Sequence, residues 1–425
     1  MKRKQCLFLC WVPVLLCLFL IGPVAAMAAE PIVIGVPTST GFLEGKEALK
    51  AVELAVTEIN SAGGVAVGSE KRPFKVESID IRDAAPGVPV PEALLGIEKL
   101  ILEKKPAALL VGPFRSEALL AGMDLIAKYK IPMLATIAMA PDYGKKILEN
   151  PDKYKYCFRV CLDGAYLVGY LKGSMEFINK EFGFKKVYIM HQDVAWARGT
   201  ANGLSGILKA AGWEVLGMDS YPTGAGDFSS ALMKIRASGA QVILPIFDMP
   251  QSGILVKQWN TMKVPALLAG FISPLAGPGA WKNFDQKIDG AMNAIFEIGN
   301  IPVKKVPQSV AYYEAYKKKF HKEIESGHGP APAYESVYIL AEAIERAGSL
   351  DPDALAAALE KTDRTGAIGR IKFGKNHQVI FGNDPKETAL GVMSQWSKTG
   401  TREIVFPESV ADAKIHLPEG VKSAK

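Results

Sequence analysis

The densest chemistry in the chain lies between Leu109 and Tyr143. Phe114-Arg115-Ser116 brings a cation and a hydroxyl to the point where an apolar run gives way to a helical pattern. Thr136-Ile137-Ala138-Met139 follows the next apolar run. A helix N-terminus offers free N–H groups, so these groups, the Ser116 hydroxyl and the Arg115 guanidinium can together hold an anion. A plainer account also fits, in which Ser116 only caps its helix and Arg115 is solvated. Asp193 and Asp248 each follow another strand-like run, where a carboxylate serves either a ligand or a turn. The five histidines are scattered and lack metal-ligand spacing. The sequence has no G-x-S-x-G elbow, Walker A loop, H-E-x-x-H or G-x-G-x-x-G motif. These residues describe a binding module that is not an enzyme and calls for no cofactor or metal.

The elements that must position these residues alternate. Pro31–Pro37, Phe74–Asp80, Leu109–Val111 and Ile131–Ala135 read as strands, and helical patterns separate them. Leu119, Leu120, Met123 and Ile126 recur at helical spacing after Ser116. The segment 143–156 is polar and broken by Pro151, as a crossing between domains would be. Alternation then restarts with strands at Lys186–His191, Glu214–Tyr221, Gln241–Phe247 and Ala266–Gly270. Repeated strand–helix units make parallel α/β sheets, and ligands of such sheets sit at the carboxyl ends of the strands. The tail differs: after three helices ending near Lys361 come short strands within 369–406.

Residues 1–28 read as a cleaved signal peptide, with Lys2-Arg3-Lys4, an apolar stretch from Cys6 to Val24, and the small-residue pattern Ala26-Met27-Ala28. Its removal leaves about 400 residues, enough for two domains. The formal charge falls from +6 to about +3 when the three leader cations go, which argues against a nucleic-acid partner. Two cysteines remain, Cys157 and Cys161. An oxidising compartment favours a bridge, but on an extended strand they would stand roughly 13 Å apart, beyond disulfide reach. The spacing leaves the bridge undecided.

Several stretches form an ordered series: Ile32-Val33-Ile34-Gly35-Val36-Pro37, the run Ala55 to Val65 with its Asn60-Ser61-Ala62-Gly63-Gly64, Val111-Gly112-Pro113 with Ser116, and Ile131-Pro132-Met133. Further on come Ser220-Tyr221-Pro222, Gly226-Asp227-Phe228-Ser229, Ala341 to Gly348, and Gln395-Trp396. Taken in order, these stretches resemble the substrate-binding proteins of Liv-type branched-chain amino acid ABC importers. The resemblance covers nearly all of the chain beyond the leader. It implies the type I periplasmic binding protein fold, two parallel-sheet α/β lobes joined by a three-segment hinge. Lobe 1 would be residues 30–155 plus 285–364, and lobe 2 residues 156–284 plus 365–425. It further implies a periplasmic, monomeric protein that closes around a small carboxylate with an apolar body and delivers it to an ABC permease in the inner membrane. A ligand sensor signalling to a receptor or regulator without transport is the alternative.

Site residues carried over from the resemblance give Ser116 and the main chain of Ile137, Ala138 and Met139 to the ligand carboxylate, with Arg115 beside them. The positions that usually hold an ammonium, a Thr and an acid, correspond to Met139 and Gln251, so Asp248 is the expected substitute. Trp196, Phe42 and Phe271 are the expected aromatic contacts. The ligand is either a hydrophobic amino acid or an aromatic or aliphatic acid without the amine.

Overall fold

The computed structural model describes residues 30–425; the expected leader lies outside them. Numbering only the strands of the two large sheets, the first sheet contains β1 (Ile32–Thr38), β2 (Phe74–Asp80), β3 (Ala108–Val111), β4 (Met133–Ala135) and β5 (Cys157–Arg159), in the order β2-β1-β3-β4-β5. All four pairings are parallel. The second sheet contains β6 (Lys186–Gln192), β7 (Glu214–Tyr221), β8 (Val242–Phe247), β9 (Leu267–Ile272), β10 (Met292–Ile295), β11 (Val392–Trp396) and β12 (Arg402–Phe406). Its order is β12-β11-β10-β9-β8-β6-β7. The pairings from β7 through β10 are parallel, and the tail strands β11 and β12 add antiparallel. The inner strands β3, β4, β8 and β9 are buried at every residue. That is why they read as unbroken apolar runs: helices cover both faces of such sheets.

The sheets revise the expected boundaries. The segment 143–156 does not cross between lobes. It forms the short helices Tyr143–Glu149 and Pro151–Tyr154, whose buried Tyr143, Ile147 and Tyr154 pack on the first core, and it leads into β5 of the same sheet. Asn150-Pro151 resembles a linker only because it breaks a helix. The first crossing therefore follows Arg159, not Lys155. β10 pairs with β9, so the second crossing follows Ile295, not Phe284. The tail also departs from expectation. Asp363–Gly366, Gly369–Lys372, Phe381–Gly382 and Ala389–Leu390 form a separate small sheet, bridged to β5 through Arg159 and Gln378. Only Val392 onward joins the second sheet.

Helix Leu43–Ser61 lies against helix Pro330–Ala347, which places the late helices with the first sheet. Gly45 makes the start of the first helix workable, because a Cβ there would stand 2.2 Å from the Ser39 carbonyl oxygen. A hairpin, Val65–Val67 with Glu70–Arg72, was not legible between these elements; its strands are too short for a periodicity to show. Cys157 and Cys161 are both buried and free.

Candidate functional site

The candidate site forms where strand ends of the two large sheets face each other. At the end of β3 the Gly112 N–H donates to the Leu110 carbonyl at 2.9 Å, closing a γ-turn around Val111, whose φ is +70°. That conformation is rare and strained for a β-branched residue. It turns the chain so that Phe114 and Arg115 face the second sheet.

Helix Ser116–Tyr129 begins one residue earlier than a Ser116 cap requires. Arg115 is the N-cap residue, Ser116 is already helical, and no side chain of either closes the cap. Asp83 takes over that task. Its Oδ2 accepts the Arg115 N–H at 2.7 Å, and its Oδ1 accepts from the Ser39 hydroxyl at 2.6 Å. Burial pushes the Asp83 carboxyl above its usual range, and these hydrogen bonds oppose that push. The Ser116 hydroxyl, 2% exposed, has no hydrogen-bond partner among the described residues. Neither has Nη2 of Arg115 nor the Thr136 hydroxyl.

The Arg115 side chain lies against the Phe114 ring and reaches the opposite lobe, where its Nη1 stands 2.8 Å from Asp248 Oδ2. The same oxygen accepts from Trp196 Nε1 at 2.7 Å. Asp248 follows β8, and its N–H and that of Met249 donate to the Gln192 side-chain oxygen at 3.1 and 3.0 Å. Gln192 closes β6, so one strand end fixes the loop of its neighbour. The second carboxylate oxygen, Asp248 Oδ1, is buried and without a partner among the described residues.

Beside Asp248 is a cavity of about 20 Å³. Its apolar wall is Phe114, Ile137, Met139, Trp196, Phe271 and Phe296, and its polar wall is Glu44, Asp248 and His328. The rings interlock: Phe271 and Phe296 are 4.2 Å apart, and Trp196 meets Phe271 edge-on at 6.0 Å. A space of this size holds about one water, so a larger solute enters only when the walls part. Glu44 shares a hydrogen bond with the Ser273 hydroxyl at 2.5 Å. Burial raises its proton affinity despite that bond.

Of the residues singled out from sequence, Ile137, Met139, Trp196, Asp248 and Phe271 line the cavity, and Arg115 is bonded into it through Asp248. Phe42 stands behind the wall, packed on Phe114 at 5.4 Å. Ala138 is buried, and its carbonyl faces the Cys161 thiol. Gln251 does not take part: it is exposed, in the short 3-10 turn Pro250–Ser252. That turn delays the helix start to Gly253 and carries Gln251 out of the cleft. Sequence reasoning missed Glu44, Phe114, Phe296 and His328. Phe114 was adjacent to the right residues. The other three carry no local motif, since only the fold brings them to one place. Among the described residues no three His, Cys, Asp or Glu side chains stand where they would hold a metal ion, and no helix is long and apolar enough to cross a membrane.

Two α/β sheets with a polar-edged, aromatic-walled cavity between them define a two-lobed ligand-binding protein. Residues 33–382 match the family model described as Periplasmic binding protein, and the chain belongs to that family of substrate-binding proteins rather than to an enzyme family. It is similar to Leu/Ile/Val-binding protein homolog 8 of Brucella abortus, 25% identical over 388 residues, covering 88% of this chain and 89% of the relative. Its fold matches that of the branched-chain amino acid transporter substrate-binding protein LivJ from Streptococcus pneumoniae, solved with isoleucine, at a TM-score of 0.73 and 21% identity over 89% of this chain and all of that one (100%). It also matches an ABC transporter solute-binding protein from R. palustris, solved with benzoate, at a TM-score of 0.71 and 16% identity, over 93% of this chain and 100% of the other. The fold is the type I periplasmic binding protein fold.

Proposed function

We propose that the chain is the exported, periplasmic solute-binding component of an ABC importer, capturing a small carboxylate with an apolar body by lobe closure and handing it to a membrane permease. The observation that carries this reading is a set of buried, unpartnered polar atoms: Asp248 Oδ1 on the cavity wall, Nη2 of its partner Arg115, and Oγ of the neighbouring Ser116. Buried polar atoms are rarely left unpaired. A carboxylate accepts from the last two, and the aromatic wall suits an apolar body.

Charge balance supports an amino acid over an amine-free acid. Arg115 and Asp248 cancel each other. An added carboxylate alone leaves one buried negative charge uncompensated, which is costly. A zwitterion brings its own cation, which Asp248 accepts. The test is calorimetry with leucine and with benzoate. Leucine binding one-to-one and more tightly supports the amino-acid reading. Benzoate binding more tightly supports the amine-free acid. Heat from neither removes the carboxylate reading.

A further inference from the structure

One buried ion pair lies against the cavity without belonging to the carboxylate site just described. Glu297 follows β10 and is wholly buried. Its Oε1 accepts the Leu162 N–H at 3.0 Å, and its Oε2 accepts from the Asn300 amide at 3.2 Å and the Gly329 N–H at 3.3 Å. Leu162 lies just past β5, where the chain leaves the first sheet, and Glu297 just past β10, where it leaves the second. One carboxylate thus ties two of the strand crossings together. His328 continues the connection. Its Nδ1 stands 3.0 Å from Glu297 Oε1 and its Nε2 stands 2.6 Å from the Ile137 carbonyl oxygen. Ile137 belongs to the loop after β4 that lines the cavity, and Phe296 packs edge-on against the imidazole at 4.9 Å.

The contacts of His328 need one proton between Nδ1 and Glu297, and the three N–H donors already on that carboxylate, from Leu162, Asn300 and Gly329, favour keeping the proton on the ring. A carbonyl only accepts, so Nε2 carries a proton. A neutral ring would then aim the Nδ1 lone pair at a carboxylate 3.0 Å away. Only the imidazolium donates at both ends. We infer that His328 is a positioning residue, which as an imidazolium locks Ile137 of the ligand-facing loop to Glu297 at the strand crossings, so that capture weakens when the ring loses its proton.

The other ionisable groups around the pair are consistent with this. Glu44 is the remaining acid acting on the ring, while Cys161 and Tyr170 lie near Glu297. Burial lowers the proton affinity of His328, but the Glu297 charge and hydrogen bond, the Ile137 carbonyl and Glu44 together outweigh it and raise the pKa above its usual value. Through Ile137 the inference rests on the cavity being the ligand site.

The experiment is an NMR titration of the intact protein, following the His328 ring protons and the Ile137 carbonyl carbon without ligand. Both should move together, with a midpoint above the ordinary histidine value of about 6.5. The Ile137 signal should stay flat in H328Q, while E297Q should lower the ring midpoint. The wild-type titration needs no variant: a His328 midpoint at or below 6.5, or an Ile137 signal indifferent to it, overturns the inference. Calorimetry with leucine and benzoate across the same range should show about tenfold weaker binding above the midpoint, the low end for one hydrogen bond to a charged group. Affinity that ignores a titrating His328 also overturns it. Binding of neither solute, with the two NMR signals still coupled, counts against the ligand reading and not against the ion-pair network.

Discussion

Arg115 and Asp248 meet at 2.8 Å, each nearly buried, from opposite sides of the cleft. The lobe that offers a cation and the lobe that offers an anion therefore satisfy each other when no zwitterion lies between them. A zwitterion inserted there exchanges one ion pair for two.

That exchange predicts opposite effects of one substitution on two solutes. Asp248→Asn removes the ammonium acceptor and leaves Arg115 without its counter-charge. Leucine affinity should fall about thirty-fold or more, in line with breaking a buried charge pair. Benzoate affinity should rise, because the competing carboxylate is gone. Calorimetry of the two solutes against the variant checks both signs; unchanged leucine binding excludes Asp248 as the ammonium partner.

Ser116 separates capping from binding. A working N-cap lost to alanine costs about 1 kcal/mol. The Ser116 hydroxyl caps nothing, so Ser116→Ala should leave denaturant stability within about 0.5 kcal/mol of the parent. Leucine affinity should nevertheless drop roughly five- to tenfold, the worth of one hydrogen bond. Stability loss with intact affinity would restore the capping role.

Burial gives the stability a pH dependence of defined sign. Glu47 accepts the N–H groups of Glu325 and Ser326 at 3.1 and 2.9 Å, yet burial pushes its carboxyl up to about 7 from 4.5. The folded state then holds this proton more tightly than the unfolded chain. Its stabilising effect is complete below about 4.5 and is lost as pH rises through about 7. Glu44 and Asp83, also raised by burial, act in the same direction. Thermal unfolding should occur a few degrees higher near pH 5.5 than near pH 8, and Glu47→Gln should flatten that difference. A midpoint that climbs towards pH 8 contradicts it.

The cysteines should behave as inert core residues. Both are buried, and burial pushes the Cys157 thiol up to about 12, which leaves almost no thiolate at neutral pH. Alkylation followed by peptide mass spectrometry should label neither in the native state and both after unfolding without reductant. Absence of label after unfolding would mean a disulfide.

The residues that were legible share a cause. Long, largely buried strands such as β1 and β8 announce themselves by composition, and the turn at Gly112-Pro113 with Ser116 is a local pattern. Arg115 and Asp248 were each visible as strand-end residues, but their pairing spans the cleft and appears in no spacing. His328 follows a charged helix end and Glu297 closes an apolar run; nothing in either segment announces their pairing, which only the convergence of two crossings produces. The boundary errors at Lys155 and Phe284 arose because a Pro-broken helix pair resembles a linker and because sheet membership depends on pairing partners far away in sequence. Gln251 was misplaced by a single 3-10 turn, which shifts the start of a helix without altering its pattern.

The central claim, that this cleft holds a small carboxylate with an apolar body, is tested most directly by mass spectrometry of whatever is released when the purified protein is denatured. A carboxylic acid of amino-acid size with an apolar side chain, lost in an Arg115→Met, Ser116→Ala double variant, is the expected result. A sugar, a nucleoside or any ligand without a carboxylate, retained by that variant, would contradict the account.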